Sequence, residues 1–450
     1  MDPEKRALLR EINQFFEEYD KRFPEWYRRL REKARKIYWE YEEKGLPVGR
    51  YGLDFDLTQF YPHLVTPHPP LRSLRDLDEV GRRMMERVGN RPDEEARAAS
   101  HLQHDTVTRY AGLTELGREQ VLLMHPRGLV VEDFDEAICK YPWLEKYVGR
   151  ILPVNLDKYT AWNTAYSRGG IFVWVKRGVS VKWPLQSCFY LERTRLGQLV
   201  RIFIYAEPHS EVHLISGCVF NPGCETALHG CITEVYVGRE AEVTLTMIHH
   251  FKPRFHIRPK VGVIVDDGGI YRSNYILTSP VESAQLYPTV ILRGSGSRAS
   301  MRSLLFGLGS SDLDIGSAIM FTGSGSRGEV ISRAVVAEAA RVKLRGALKA
   351  YRPDVRGHID CRALLLSRRA RAHAYPNLKS MSPGARLTHE AAIGRIEEEH
   401  ILYLMSRGLD RDEATSMIVR GFLDIEIPGL PDVLKMEIGR LIKATAEKVM

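Results

Sequence analysis

Apolar positions change rhythm twice along the 450 residues. At the start they recur at helical spacing. Leu8, Leu9, Ile12, Phe15 and Phe16 form one stripe, and Pro24 interrupts it. Trp26, Leu30, Ala34, Ile37 and Tyr38 resume the pattern, and Gly45 is a natural stop. Residues 46–75, rich in Pro, Tyr and Asp, read as an irregular connector. Residues 76 to about 150 alternate short helical patterns with turns. From Asn155 to about Ala392 the period drops to two. VRIFIYAE, EVHLISGCVF, CITEVYVG, AEVTLTMIHHF, GVIVDD, ASMRSLLFGLG, DIGSAIMFTG and RVKLRGALKA read as strands between Gly, Ser, Asn and Asp turns. GSGSR occurs at Gly294–Arg298 and again at Gly323–Arg327, 29 residues later. This pattern predicts a β-solenoid, sandwich or barrel, and periodicity alone does not choose among them. A solenoid would bury Val, Ile, Leu and Ala inward. At roughly 20–30 residues per turn it would have on the order of ten turns.

Helical spacing returns at Ile393. RIEEEHILYLMSR closes at Gly408, and Asp410 with Glu413 forms a capping box for DEATSMIVR, which runs to Gly421. Pro431 opens a last helix with Leu434, Ile438, Leu441, Ile442 and Thr445 on one stripe that needs a partner surface.

This length implies two or three domains. Hydrophobic content of 44% with 27% charged residues is that of a soluble globular protein. The net charge of +8 suits an acidic partner or a solvated basic face. Without zinc-finger spacing or RNA-binding aromatic motifs, it does not point to nucleic acid. Six cysteines without a CxxC pair fit a reducing, cytosolic compartment rather than a disulfide framework. No run of about 18 apolar residues predicts a membrane span. The charged N-terminus has no signal-peptide core. No GxxxxGK[ST] is present, so ATP hydrolysis by this chain is not expected. GxSxG and HExxH are missing too.

Candidate chemistry gathers near the end. In GHIDCRALLLS, Cys361 offers a thiolate for sulfur transfer or for iron. His358, Arg362, Arg368, Arg369 and Arg371 lie close in sequence, and cations near a thiol lower its pKa. The competing reading is a small buried apolar residue. His389 and Glu390 follow in THEAAIG. Neighbours on a strand face opposite sides, so sharing one metal requires the strand to end or bulge there. The alternative is a surface His beside a Glu favoured at a helix start. His373 is a weaker candidate. Cys218, Cys224 and Cys231, with His229, lack the tight C-x2–4-C pair of a zinc knuckle, and strand alternation would spread them over two faces. His249, His250 and His256 read as a solvated loop at a strand end.

These segments, in this order and spacing, strongly resemble the SufB/SufD family of iron–sulfur cluster assembly proteins. YPWLEKYVGRILPVNLDKYTAWNTAYSRGGIFVWVKRGVSVKWPLQSCFYL resembles the approach to its core. GQLVRIFIYAEPHSEVHLISGCVFNP and ALHGCITEVYVG resemble its early turns. GHIDCRALLLS…AHAYP and LTHEAAIGRIEEEHILYLMSRGLDRDEATSMIVRGFL resemble its exit and C-terminal helices. Together they cover roughly residues 140–450, and PEWYRRLREKA matches the family's N-terminal region more loosely.

The resemblance implies a mainly β protein. A right-handed parallel β-helix (151–392) would be flanked by a mainly helical N-terminal region (1–150) and a C-terminal helical domain (393–450). A SufC-type ABC ATPase would dock on the latter. It also implies a non-enzymatic scaffold that assembles an iron–sulfur cluster, supplied by a cysteine desulfurase or other sulfur donor and serving recipient apo-proteins. Cys218, after the Gly of a GC motif, matches the point where sulfur enters. Cys361 matches the cysteine that receives sulfur or ligates the cluster. His389 and Glu390 match the HEA motif at the cluster site. HEA together with the exit cysteine resembles the SufB rather than the SufD branch. Thr388 stands where an acidic residue is often found, SRRARAH replaces a cysteine-bearing GxxCGAH, and His249, His250 and Phe251 replace a frequent Gln-Asn-Trp. The short N-terminus fits a system in which one SufB-like chain pairs with itself as a homodimer. The rival readings are a SufD-like β-helical adaptor and a metal-dependent enzyme using the Cys/His/Glu site.

Overall fold

Period-two alternation over the middle of the chain builds a ladder, and the ladder places the chemistry. The protein, seen in a computed structural model, is described over residues 3–44, 54–66, 70–71, 76–88, 98–125 and 127–423 and at 436, 439 and 440. Its core is a parallel β-solenoid of about eight turns. Two sheets face each other across the interior. One runs through Leu185–Leu191, Glu211–Phe220, Glu242–His249, Ile270–Leu277, Arg298–Gly307, Arg327–Val336, Arg356–Leu365 and Arg386–Arg395. The facing sheet runs through Gly170–Val175, Gly197–Ala206, Ala227–Val237, Lys260–Val265, Thr289–Leu292, Asp312–Phe321, Arg341–Ala350 and Arg371–Ser380.

Register explains the GSGSR repeat. Arg298, Arg327, Arg356 and Arg386 pair in succession across the first sheet, so the repeat is one solenoid turn. Gly296 and Gly325 adopt φ of +65° and +66°, the left-handed region that glycine enters without strain. The serine of each repeat closes its own turn: Ser297 Oγ donates to Gly294 O at 2.6 Å, and Ser326 Oγ to Gly323 O at 2.8 Å. Turns of 28 to 31 residues lie at or just past the long end of the expected range, which is why there are fewer than ten.

The interior is apolar as expected, with Val243, Leu245, Val263, Met301, Ile319, Val330, Leu344 and Ile359 in one continuous cluster. One column departs from it. Ser187, Ser216, Met247, Tyr275, Ser303, Ser332 and Cys361 pair strand to strand along the first sheet, all on the inward parity.

The N-terminal end of the solenoid is closed. Ala99–His104 joins the first sheet in parallel with Leu185–Leu191, and Val107–Leu113 folds back antiparallel on it. Leu129–Asp133 pairs antiparallel with Gly170–Val175. These strands occupy a stretch whose sequence reads as helices and turns. Buried polar residues, among them His101 and Gln103, hide their alternation. The helix Lys158–Tyr166 is a second departure: it interrupts the strand pattern, is wholly buried, and is capped by Asp157, whose Oδ1 accepts from Thr160 N at 2.8 Å.

The helices Pro3–Asp20 and Glu25–Lys44 form as their apolar stripes predict and break at Pro24. Leu9, Ile12, Phe16, Ala34 and Tyr38 pack on Trp162 and Tyr166, with Leu8, Phe15 and Ile37 at the margin. Asp20 is buried between Arg31 Nε at 2.7 Å and Arg35 Nη1 at 2.6 Å. Removing one partner of such a pair costs about 3–5 kcal/mol. At the other terminus, Asp410 and Glu413 make the reciprocal capping box, N to Oε2 at 2.9 Å and N to Oδ1 at 2.7 Å. The helix Arg411–Leu423 lays Val419 and Leu423 on the outer face of the first sheet, against a cluster with Val335 and Leu364. Gly45, much of the 46–75 connector, Pro431 and the stripe from Leu434 to Thr445 lie outside the described residues.

Among the described residues nothing covers the C-terminal end of the solenoid. The inward residues of its last turn include Leu378, 36% exposed, and Ile393, 40% exposed. Among the described residues no strand pairs with the far edge of Arg371–Ser380 or Arg386–Arg395.

The stacked turns leave no room for a methyl group at Gly323, where a Cβ would lie 1.9 Å from Gly294 O. Gly323→Ala is expected to destabilise the chain by about 1–3 kcal/mol in urea denaturation. Gly421, whose Cβ would meet nothing within 4 Å, is the control and loses nothing as Gly421→Ala. Equal stability of the two variants contradicts the stacked register.

Candidate functional site

Cys361 sits in the middle of Arg356–Leu365, on the inward parity shared with Ile359 and Ala363. It is 0% exposed. Its ladder neighbours are Ser332 on one side and Ala391 on the other. The Ser332 hydroxyl hydrogen-bonds the thiol, and Ser303 Oγ lies 2.9 Å from Ser332 Oγ. Burial, reinforced by the Asp360 carboxylate, pushes the thiol up to about 11. This reverses the expectation of a thiol acidified by its basic surroundings. The basic side chains of this strand, Arg362 and His358, alternate with Cys361 and point outward. Arg362 donates to Asp360 Oδ1 at 2.9 Å, and His358 Nδ1 lies 2.8 Å from Thr388 Oγ1.

His389 and Glu390 lie on the last strand, Arg386–Arg395, which runs through both without an end or a bulge. They therefore face opposite sides, correcting the expectation of a break. His389 pairs with Ile359 and shares the inward face with Cys361. Glu390 pairs with Asp360 on the outer face, where its Oε2 accepts from Arg362 Nη2 at 3.1 Å. Both are exposed, and among the described residues nothing caps this turn. A Glu–Arg pair so open to solvent is worth at most about 1 kcal/mol, so Glu390 is weakly held. The donor set suits iron and sulfur: a thiol and an imidazole on one face, a carboxylate one strand edge away. His373 lies on the facing sheet, stacked on Tyr375 with ring centroids 6.1 Å apart, and points outward.

Cys218 occupies the inward face of Glu211–Phe220 and is 1% exposed. Its Sγ lies 3.4 Å from Nε2 of His229, which reaches in from the facing sheet. Burial drives the Cys218 thiol well above its usual range and the His229 imidazole down to about 3. Five strand spacings separate Cys218 from Cys361, roughly 24 Å at the usual inter-strand distance. Cys218, His229 and Cys231 share the interior after all, because they belong to two facing sheets rather than one strand. Cys231 turns to Thr233 Oγ1 at 3.4 Å, and Cys224 packs in a turn. His249 and His250 are buried, not solvated: they end a strand that the next turn covers. Sequence reasoning did not find Tyr275, Ser303 and Ser332. Their signal was a polar residue at one inward position of most successive strands, Met247 excepted, readable only once the turn length is known.

The fold is that of a parallel β-solenoid protein with Cys218, Cys231 and Cys361 turned into its interior. The chain belongs to the SufBD family. Residues 189–422 match its domain described as "SUF system FeS cluster assembly, SufBD core domain". Residues 115–187 match the "SufBD protein N-terminal region". The chain is 37% identical over 419 residues to an iron–sulfur cluster assembly SufBD family protein of Methanothermobacter thermautotrophicus, covering 92% of this chain and 98% of that one. It is 36% identical over 365 residues to one from Archaeoglobus fulgidus, covering 81% and 95%. With one from Staphylococcus aureus it shares 26% identity over 449 residues, covering 98% and 92%. No helix among the described residues is long and apolar enough to cross a membrane.

The burial pattern makes thiol accessibility a direct check. Cys139 alone among the six cysteines is exposed. Iodoacetamide at neutral pH is expected to label that one thiol rapidly in the native chain and all six in denaturant, read by intact mass. Rapid native labelling of Cys361 contradicts the closed geometry.

Proposed function

We propose that this SufBD family protein is a SufB-like scaffold on which iron–sulfur clusters are built de novo in the cytoplasm. The observation that carries the reading is the position of Cys361: enclosed on the inner face, one strand from an uncovered end. A persulfide needs protection from water and reductants and also access for transfer, and a thiol beneath a single terminal strand has both when that strand moves. Sulfane sulfur from a cysteine desulfurase or other donor is taken up at Cys218 and reaches Cys361. The roughly 24 Å between the thiols rules out a direct hop in the closed form. Iron joins at Cys361 with His389 and Glu390. Glu390 leaves its weak pair with Arg362 when the terminal turn rearranges. The finished cluster passes to recipient apo-proteins.

Two further surfaces support the partners. Leu402, Tyr403 and Met417 are exposed apolar residues on the C-terminal helices, a surface suited to a SufC-type ABC ATPase whose closure on ATP would open the terminal turn. The chain itself is the scaffold, not the ATPase. The open end, with apolar inward residues and free strand edges, suits a second copy of the chain across a two-fold axis. That homodimer would bring two Cys361 sites together and cover both.

Anaerobic reconstitution with iron, sulfide and reductant is expected to give cluster absorption and Mössbauer signals in wild type and none in Cys361→Ser. Equal signals in both discard Cys361 as the essential ligand. No cluster in either, with the ATPase present, favours an adaptor role instead. Ile393→Arg places a charge on the open face. It is expected to convert a dimer to a monomer in light scattering at micromolar concentration, and an unchanged mass contradicts this interface.

A further inference from the structure

The interior holds a second group of ligand-type side chains, far from Cys361. Ligating atoms of Cys218, His229 and His249 lie within 4.8 Å of one another, and all three residues are buried. Cys218 and His249 are register partners on adjacent strands, and His229 approaches from the facing sheet. We propose that these three residues bind one divalent transition-metal ion, zinc or ferrous iron, inside the solenoid.

The orientation of the imidazoles carries the argument. Gln198 Nε2 donates to Asp105 O at 2.8 Å and to Tyr190 O at 3.3 Å, which fixes the direction of its amide. Its Oε1 therefore faces His229 Nδ1 at 2.8 Å and accepts that proton. The neutral ring then directs its Nε2 lone pair at Cys218 Sγ. His249 is arranged alike, with Nδ1 at 3.1 Å from the Tyr275 hydroxyl, which accepts as well as donates. Its Nε2 is wholly buried and has no hydrogen-bond partner among the described residues. Leaving such an atom unsatisfied is costly, and nothing else in the core uses it. Imidazoles that bind metal through one nitrogen and an oriented acceptor through the other are the usual pattern of a built site.

Distances agree. Tetrahedral bonds of the usual length to sulfur and nitrogen place those atoms roughly 3.6 Å apart, and Cys218 Sγ lies 3.4 Å from His229 Nε2. Phe189 and Phe251 pack against the rings and keep the surroundings dry. One thiolate and two imidazoles suit zinc or ferrous iron rather than magnesium or calcium. Binding would release the Cys218 thiol proton and make it a metal thiolate. Three protein ligands leave the fourth position for an outside donor.

The inference does not depend on the assembly reading, and its test is made where the two separate. The full-length Cys361→Ser chain, purified anaerobically, is titrated with cobalt(II) alone, an ion that reports its own ligands. One equivalent is expected to give a thiolate-to-cobalt charge-transfer band with intense tetrahedral d–d bands, displaced by zinc. Adding Cys218→Ser is expected to abolish the charge-transfer band. Where that variant does not fold, Gln198→Met decides, since it keeps all three ligands and removes the acceptor that orients His229, along with the amide's bonds to Asp105 O and Tyr190 O. Its affinity for cobalt is expected to fall about 10- to 100-fold. No thiolate band in Cys361→Ser, a band that survives Cys218→Ser, or unchanged affinity in Gln198→Met overturns the proposal. A cluster lost in Cys361→Ser bears on the assembly reading alone.

Discussion

Parallel strands held in register at a fixed turn length are the constraint on which the rest of this structure depends. Each turn pairs residue for residue with the next, so side chains of one parity stack into columns along the axis. Residues distant in sequence become neighbours in a column, and adjacent residues are separated by the thickness of a sheet. The price of a polar group inside such a ladder is high unless each one finds a partner. At its Cys361 end the column meets that condition through the Ser303–Ser332 contact and the Ser332 bond to the thiol, whereas the buried Ser216 hydroxyl has no partner among the described residues.

The same constraint divides the candidate cluster site. Cys361 and His389 fall on the inner parity, and Glu390 on the outer. The closed ladder therefore holds Glu390 on the opposite face from Cys361 and His389, and the cluster site proposed above requires the terminal turn to move. That turn is suited to moving. It has one ladder partner per strand and little burial, and its outer ion pair is solvent-exposed. The rest of the solenoid, packed on both sides, is not. Rigidity along the axis and mobility at the end arise from one architecture.

Much of the fold was legible in the chain. The strand Glu211–Phe220 follows EVHLISGCVF residue for residue, and the Asp410–Glu413 box formed as its spacing predicts. The GSGSR repeat carried the turn length, though only the register shows that Arg298 and Arg327 pair. The candidate site was less legible, for physical reasons. Side-chain direction at Cys361 depends on parity within a strand, so the arginines around it in sequence are on the wrong side to acidify it. The contact of Cys218 with His229 crosses between facing sheets, and that with His249 spans one turn, so neither has a local spacing. Ala99–His104 was missed because its inward residues are polar.

Whether iron and sulfur meet at Cys361 under the exposed terminal turn, as proposed, is decided by iron-edge anomalous diffraction from anaerobically reconstituted crystals of the full chain with the proposed SufC-type ATPase. An anomalous peak bonded to Cys361 Sγ is expected, with His389 or Glu390 completing its coordination. Iron bound elsewhere, with Cys361 still buried against Ser332 and carrying no peak, would contradict it.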